Sequence, residues 1–224
     1  MIGMRILRRT RKVDPKVVAA FREIPVANIS DSMHRMAAGG ARLRPMHKSG
    51  VLAGPALTVR TRPGDNIMVH KALDLADEGD VVVVDAGGDL TNAIVGEIMS
   101  GYARHRGIAG IVIDGAIRDS QSIREGVFPV YAAGVTHRGP YKDGPGEINV
   151  PIAIDGMVIH PGDLVIGDSD GLLCVPYDAT QAVYAAALER QKMEHRDMHA
   201  STSGAWDRSW VDATLRRLGC EMDA

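Results

Sequence analysis

The sequence has only two cysteines, Cys174 and Cys220. That excludes a disulfide framework and a cysteine-rich zinc site, and the expected setting is a reducing, cytoplasmic one. Long apolar runs are also missing, and none approaches the ~18 residues of a membrane span. The opening stretch, MIGMRILRRTRK, is basic but has no apolar segment of the secretory kind. Neither sign of charge dominates: 26 Lys and Arg face 28 Asp and Glu, for a net charge of −2. Nothing electrostatic therefore favours a nucleic-acid partner. There is no GxGxxG after a strand, no P-loop and no GxSxG elbow. Lysine is scarce, with Lys12, Lys16, Lys48, Lys71, Lys142 and Lys192 the only six. None stands at the end of an apolar strand, where a Schiff-base enzyme would desolvate its amine. The surplus of Arg suits anion recognition, although a GC-rich genome explains it more simply.

What is present is ordinary for a globular chain: 224 residues, 45% hydrophobic and 24% charged. That length suits one domain with a core that hides roughly 70% of the unfolded surface. Asp14 and Pro15 open a helix over 14–24. Ser30 is expected to cap a second helix over 30–37. A strand over 53–61 and a helix over 66–77 precede Val81–Val84, an apolar run that implies burial on both faces. A glycine-rich stretch leads to a helix over about 96–105. Ile111–Ile113 is a further buried strand, followed by a short helix over 119–125. From residue 128 the pattern turns strand-rich (128–131, 134–137, 148–154, 157–159, 163–166 and 172–175), with turns at Asp155-Gly156, Pro161-Gly162 and Asp170-Gly171. A long Ala-rich helix covers 178–199. The order describes one mixed α/β domain with helical N- and C-terminal appendages. Its main body is expected over 1–200 and a helical tail over 201–224, the tail packing on a neighbouring subunit.

Two segments carry chemistry. In IVIDGAIRD (111–119) an apolar strand ends on Arg118-Asp119, and strand C-termini are where α/β folds bind ligands. Arg118 there can grip a carboxylate or enolate while Asp119 holds a divalent metal; a salt bridge or an N-cap is the plainer alternative. In Gly96-Glu97-Ile98-Met99 a helix opens after a buried strand. Its free amides form an anion site, or Gly96 is simply a cap. One Asp with water suits Mg²⁺, which retains much of its hydration. His195 and His199 lack a third ligand and read as surface. His70 reads as a satisfied histidine or as a support behind the site, and Asp31 as a first-turn acid.

These residues resemble the family that contains 4-hydroxy-4-methyl-2-oxoglutarate/4-carboxy-4-hydroxy-2-oxoadipate aldolase and the regulator of ribonuclease E activity A. The resemblance runs from about Ile24 to Pro176 and rests on PGDNIMVHKAL (63–73), VGEIMSGYARHRGIAGIVIDGAIRD (95–119), FPVYAAG (128–134) and PGDLVIGDSDGLLCVP (161–176). It implies a swivelling β/β/α domain assembled as a homotrimer or homohexamer. It implies a Mg²⁺ or Mn²⁺ ion held by Asp119 mostly through water, and Arg118 on the pyruvyl oxygens. Backbone amides of Gly96, Glu97, Ile98 and Met99 would hold the substrate carboxylate. An acid from a neighbouring subunit would complete the site, with Glu194 as the candidate. The implied reaction is retro-aldol cleavage of a 4-hydroxy-2-oxo acid through a pyruvate enolate, with oxaloacetate decarboxylation through the same enolate. The alternative within the family is a non-catalytic regulator that binds a ribonuclease. No S-adenosylmethionine site accompanies these motifs.

Overall fold

The computed structural model describes residues 2–36, 39 and 41–222. The chain opens with strand β1 (Met4–Ile6), helices α1 (Pro15–Phe21) and α2 (Val26–Ser32), and strand β2 (Arg44–Pro45). Three strand–helix units follow: β3 (Leu52–Thr61) with α3 (Ile67–Leu75), β4 (Val81–Val95) with α4 (Glu97–His105), and β5 (Gly110–Ile117) with α5 (Ser120–Glu125). Strand β6 (Val130–Val135) completes a parallel set in the order β3-β4-β5-β6. Then come β7 (Gly146–Ile148), the hairpin β8 (Ile152–Ile154) and β9 (Met157–Ile159), the pair β10 (Leu164–Asp168) and β11 (Gly171–Val175), and helices α6 (Thr180–Ser203) and α7 (Ser209–Arg217).

The valine run explains the layering. Val82 and Val84 pack under α3 and α4 with Val69, Leu73 and Ala103. Val81 and Val83 face the other way, toward Ile152, Ile159, Val165 and Cys174. All four valines are fully buried, each contributing about 1.5–3 kcal/mol of hydrophobic stabilisation. Helices thus cover one face of the sheet and short strands the other, a β/β/α arrangement. A third cluster seats Phe21, Ile29 and Ala187 from α1, α2 and α6 against Ile166 and Leu173.

Several elements differ from the sequence reading. Helix α2 begins at Val26 instead of Ser30, because its first amide is capped from a distance by Asp168 Oδ2 at 3.0 Å. It ends at Ser32, where His34 and Arg35 take positive φ; residue 37 lies outside the described residues. Strand β4 does not stop at Val84. It continues to Val95 through bulges where Gly87 and Gly88 take φ of 69° and 70°, conformations that glycine adopts without strain. The expected strands 128–131 and 134–137 are one strand, β6, and 148–154 is split into β7 and β8 at Asn149, whose φ is also positive. Asp14 caps α1 as expected, accepting the Lys16 amide at 2.8 Å.

Candidate active site at the β4 and β5 strand ends

Strands β4 and β5 end side by side, Val95 opposite Ile117. The Arg118 amide continues the ladder to the Val95 carbonyl at 3.0 Å. Asp119 then takes a left-handed conformation, φ 54°, at the N-cap of α5. Its side chain makes no capping bond to α5. Instead Oδ2 accepts the Glu97 amide, the first of α4, at 2.9 Å, and lies 3.7 Å from Arg118 Nε. Gly96 is what allows this closure. Its backbone is extended, so the constraint is space: a Cβ there would overlap Asp119 Oδ2 and stand 2.9 Å from Arg118 Cγ.

Arg118 and Asp119 separate two openings. One is a cavity of about 360 Å³ lined by Asn66 at the N-cap of α3 and His70 within it, Gly96 at the N-cap of α4 with Ile98 and Met99 within it, and Gly139, Pro140 and Lys142 of the loop after β6. The other is a wider cleft of about 780 Å³ that includes Glu97, Ser120, Gln121, Thr136 and His137. The Arg118 and Asp119 side chains are 43% and 40% exposed, which leaves both open to a ligand. Ser100 ties down the α4 start, its amide and hydroxyl both donating to the Gly96 carbonyl. Of the first amides of α4, Glu97 N–H is taken by Asp119, while those of Ile98 and Met99 have no acceptor within the helix.

The cavity wall has its own polarity. Asn66 is buried, and its Nδ2 donates to the Ile94 carbonyl at 2.9 Å. Its Oδ1 is buried with no hydrogen-bond partner among the described residues. Burial, and secondarily the Lys142 charge, hold His70 below the usual imidazole range, against an opposing pull from Asp74. The neutral imidazole is therefore the favoured form.

The two segments singled out in the sequence thus meet at one place, with Gly96, Ile98, Met99, Arg118 and Asp119 on the cavity and Glu97 on the cleft. Glu194 lies apart, exposed on α6 and 3.5 Å from Arg190 Nε. His195 and His199 are exposed. Asp31 pairs with Arg35 and Arg190, each at 2.7 Å. Sequence reasoning missed Asn66 and Lys142 and undervalued His70. The i, i+4 spacing of Asn66 and His70, which sets them on one helix face, was the signal available. The loop lysine has none: Lys142 stands at no strand end and reaches the cavity from the loop after β6.

Among the described residues no three His, Cys, Asp or Glu gather as a metal site. Asp119 Oδ1 makes no hydrogen bond to protein among these residues, and the carboxylate is partly open to solvent. That donor set, one carboxylate oxygen with room for water, fits Mg²⁺ and not zinc.

The β/β/α fold thus gathers an arginine, helix amides and a lysine around one strand-end cavity. Residues 26–174 match the family model described as RraA-like: Aldolase/RraA, and this chain belongs to that family. A Halalkalibacterium halodurans protein, provisionally ascribed 4-hydroxy-4-methyl-2-oxoglutarate aldolase activity, is 41% identical over 174 residues, 78% of this chain and 83% of the relative. The 4-hydroxy-4-methyl-2-oxoglutarate aldolase of Thermus thermophilus is 37% identical over 124 residues, 55% of this chain and 75% of the relative. The solved structure of the RNA-processing inhibitor RraA, also from Thermus, superposes with a TM-score of 0.64 at 32% identity, covering 69% of this chain and 93% of that one.

Proposed function

We propose that this protein is a class II aldolase, a divalent-metal-dependent lyase that cleaves a 4-hydroxy-2-oxo acid and releases pyruvate, with oxaloacetate decarboxylation as a second activity. The observation that carries the reading is the Arg118–Asp119 pair at the end of β5, open to a cavity walled by Asn66, His70 and Lys142. The relatives that bear the aldolase name support it.

In this reading Asp119 would hold a Mg²⁺ or Mn²⁺ ion, which would supply Lewis-acid stabilisation of developing negative charge. Arg118 presents its guanidinium fork to the oxygens of the pyruvyl unit. It strengthens its hold as negative charge develops on the enolate, as an oxyanion-hole donor does. The Ile98 and Met99 amides receive the adjacent carboxylate. Lys142 suits a second carboxylate at the far end of the substrate, and neutral His70 and the free Asn66 oxygen suit its hydroxyl. The assembly belongs to the same proposal: a homotrimer or homohexamer in which Glu194 of one subunit reaches the site of another. Light scattering at micromolar concentration would find trimers or hexamers, and active monomers would remove that part. Pyruvate release from a panel of 4-hydroxy-2-oxo acids and from oxaloacetate, with Mg²⁺ present, tests the activity.

The likeness to the RNA-processing inhibitor favours one second reading, a regulator that binds a ribonuclease. It predicts that Arg118→Ala and Asp119→Asn leave inhibition of that partner intact, whereas the aldolase reading predicts that both abolish turnover.

A further inference from the structure

The cavity wall is assembled from two segments far apart in the chain, and one carboxylate joins them. Asp65 is fully buried and does not line the cavity. Its Oδ1 accepts the Ile67 amide at 3.0 Å, at the start of α3. Its Oδ2 accepts the amides of Asp143 at 2.7 Å and Gly144 at 2.8 Å, and Arg62 Nη2 at 3.2 Å. The strands of chain on either side pair as well: Tyr141 N–H donates to the Gly64 carbonyl at 2.8 Å, and Asn66 N–H to the Tyr141 carbonyl at 3.0 Å. The Arg62 guanidinium also lies over the Tyr141 ring. Asn66 and His70 stand on the α3 side of this junction, and Lys142 sits between Tyr141 and Asp143 on the loop side. A buried carboxylate with four donors is a strong brace, because each bond is charge-assisted and the carboxylate itself is shielded from water.

We propose that Asp65 is a positioning residue of the site: by clamping the Asp143 and Gly144 amides against the α3 start, it fixes the distance between Lys142 and the Asn66–His70 face and so sets how tightly substrate binds. This rests on the aldolase reading for its kinetic consequence and on the hydrogen bonds alone for its structural one. Asp65 touches no reacting atom, and Arg118 and Asp119 both hang from β5, whereas Asp65 follows β3. Its loss should therefore act on binding and spare the chemical step.

Asp65→Asn keeps the shape but turns an NH₂ group toward amide donors on one side, so one arm of the clamp opens. The expected result is a KM for pyruvate release raised about tenfold, the scale of one lost buried hydrogen bond, with kcat little changed. In a Lys142→Ala background the same substitution should add almost nothing to KM, since its effect passes through Lys142. Hydrogen exchange at the Asp143 and Gly144 amides should accelerate in the single variant, while amides of β4 and β5 keep their protection. Arg62→Gln, which removes one donor and leaves the carboxylate, is the milder variant if Asp65→Asn does not fold. It should shift KM and exchange in the same directions by less. Unchanged exchange at Asp143 and Gly144, or KM effects that add to those of Lys142→Ala, would overturn the proposal. If the wild-type protein released no pyruvate from any 2-oxo acid, the aldolase reading would fall, and the exchange measurement would still decide the clamp.

Discussion

The Asp119 carboxylate sits at the N-cap of α5 yet binds the start of α4, with Oδ2 accepting the Glu97 amide at 2.9 Å. One side chain thus locks together the two strand–helix turns that frame the site. It also fills one of the three amides at the head of α4, which leaves those of Ile98 and Met99 without an acceptor in the helix. Residues 96 and 119 are coupled through this bond, so a change at either should move both turns.

Gly96→Ala tests that coupling. A methyl group there would occupy the space of Asp119 Oδ2. The carboxylate must swing out, losing its amide bond and its place beside Arg118. Activity should fall by about tenfold or more, the equivalent of at least 1.4 kcal/mol of transition-state stabilisation, with circular dichroism unchanged. Wild-type rates in this variant would show that the Asp119–Glu97 bond is not part of the working site.

Asp119→Asn should separate charge from backbone geometry. Asn tolerates the left-handed conformation that Asp119 adopts at φ 54°, whereas Ala pays about 1–2 kcal/mol to adopt it. Both variants should lose activity, but Asp119→Asn should melt higher than Asp119→Ala. Equal melting temperatures would mean that the turn relaxes freely.

Arg118→Ala should lower turnover by about 10²–10³-fold, the usual loss for one oxyanion donor. Arg118→Lys should recover little of it, because a single ammonium cannot reproduce the fork. Steady-state rates on oxaloacetate suffice to check both, and a near-normal rate in either would remove Arg118 from its role.

Acid should release the N-terminal arm. Glu147 of β7 is almost wholly buried and takes the Gly3 amide, Arg5 and Arg60. The Gly3 hydrogen bond and the two guanidinium groups hold its carboxyl below the usual range. A folded-state value below the unfolded one means that the stabilisation is complete above about pH 4.3 and is lost as pH falls through the folded value. Glu147→Gln should therefore cost about 1–2 kcal/mol at pH 7, kept modest because both arginines are open to solvent. The gap between wild type and variant in urea unfolding should close on acidification, and a gap independent of pH would contradict this assignment.

The framework of the fold was legible because its signals are local. Val81–Val84 and Ile111–Ile113 announce doubly buried strands, and Asp14-Pro15 announces α1. What escaped was set by distant partners. Helix α2 starts early because Asp168, 142 residues away, caps it. Strand β4 runs on because its glycines form bulges within the sheet, where the sequence reads as a loop. The site divides in the same way. Arg118, Asp119 and Gly96 stand at the ends of readable strands. Asn66 and His70 share a helix face, but Lys142 joins them only when the loop after β6 folds against α3 around Asp65, and no spacing in the sequence records that meeting.

The most direct test of the central claim is pyruvate release from 4-hydroxy-4-methyl-2-oxoglutarate by purified protein, measured with Mg²⁺ and then in excess chelator, with borohydride added in a parallel reaction. A metal-dependent reaction at Arg118 and Asp119, with no Schiff base, predicts release with Mg²⁺, none in chelator, recovery with Mg²⁺ or Mn²⁺, and no covalent adduct on any lysine. Full activity in chelator, or a trapped pyruvyl adduct on Lys142, the one lysine in the cavity wall, would contradict it.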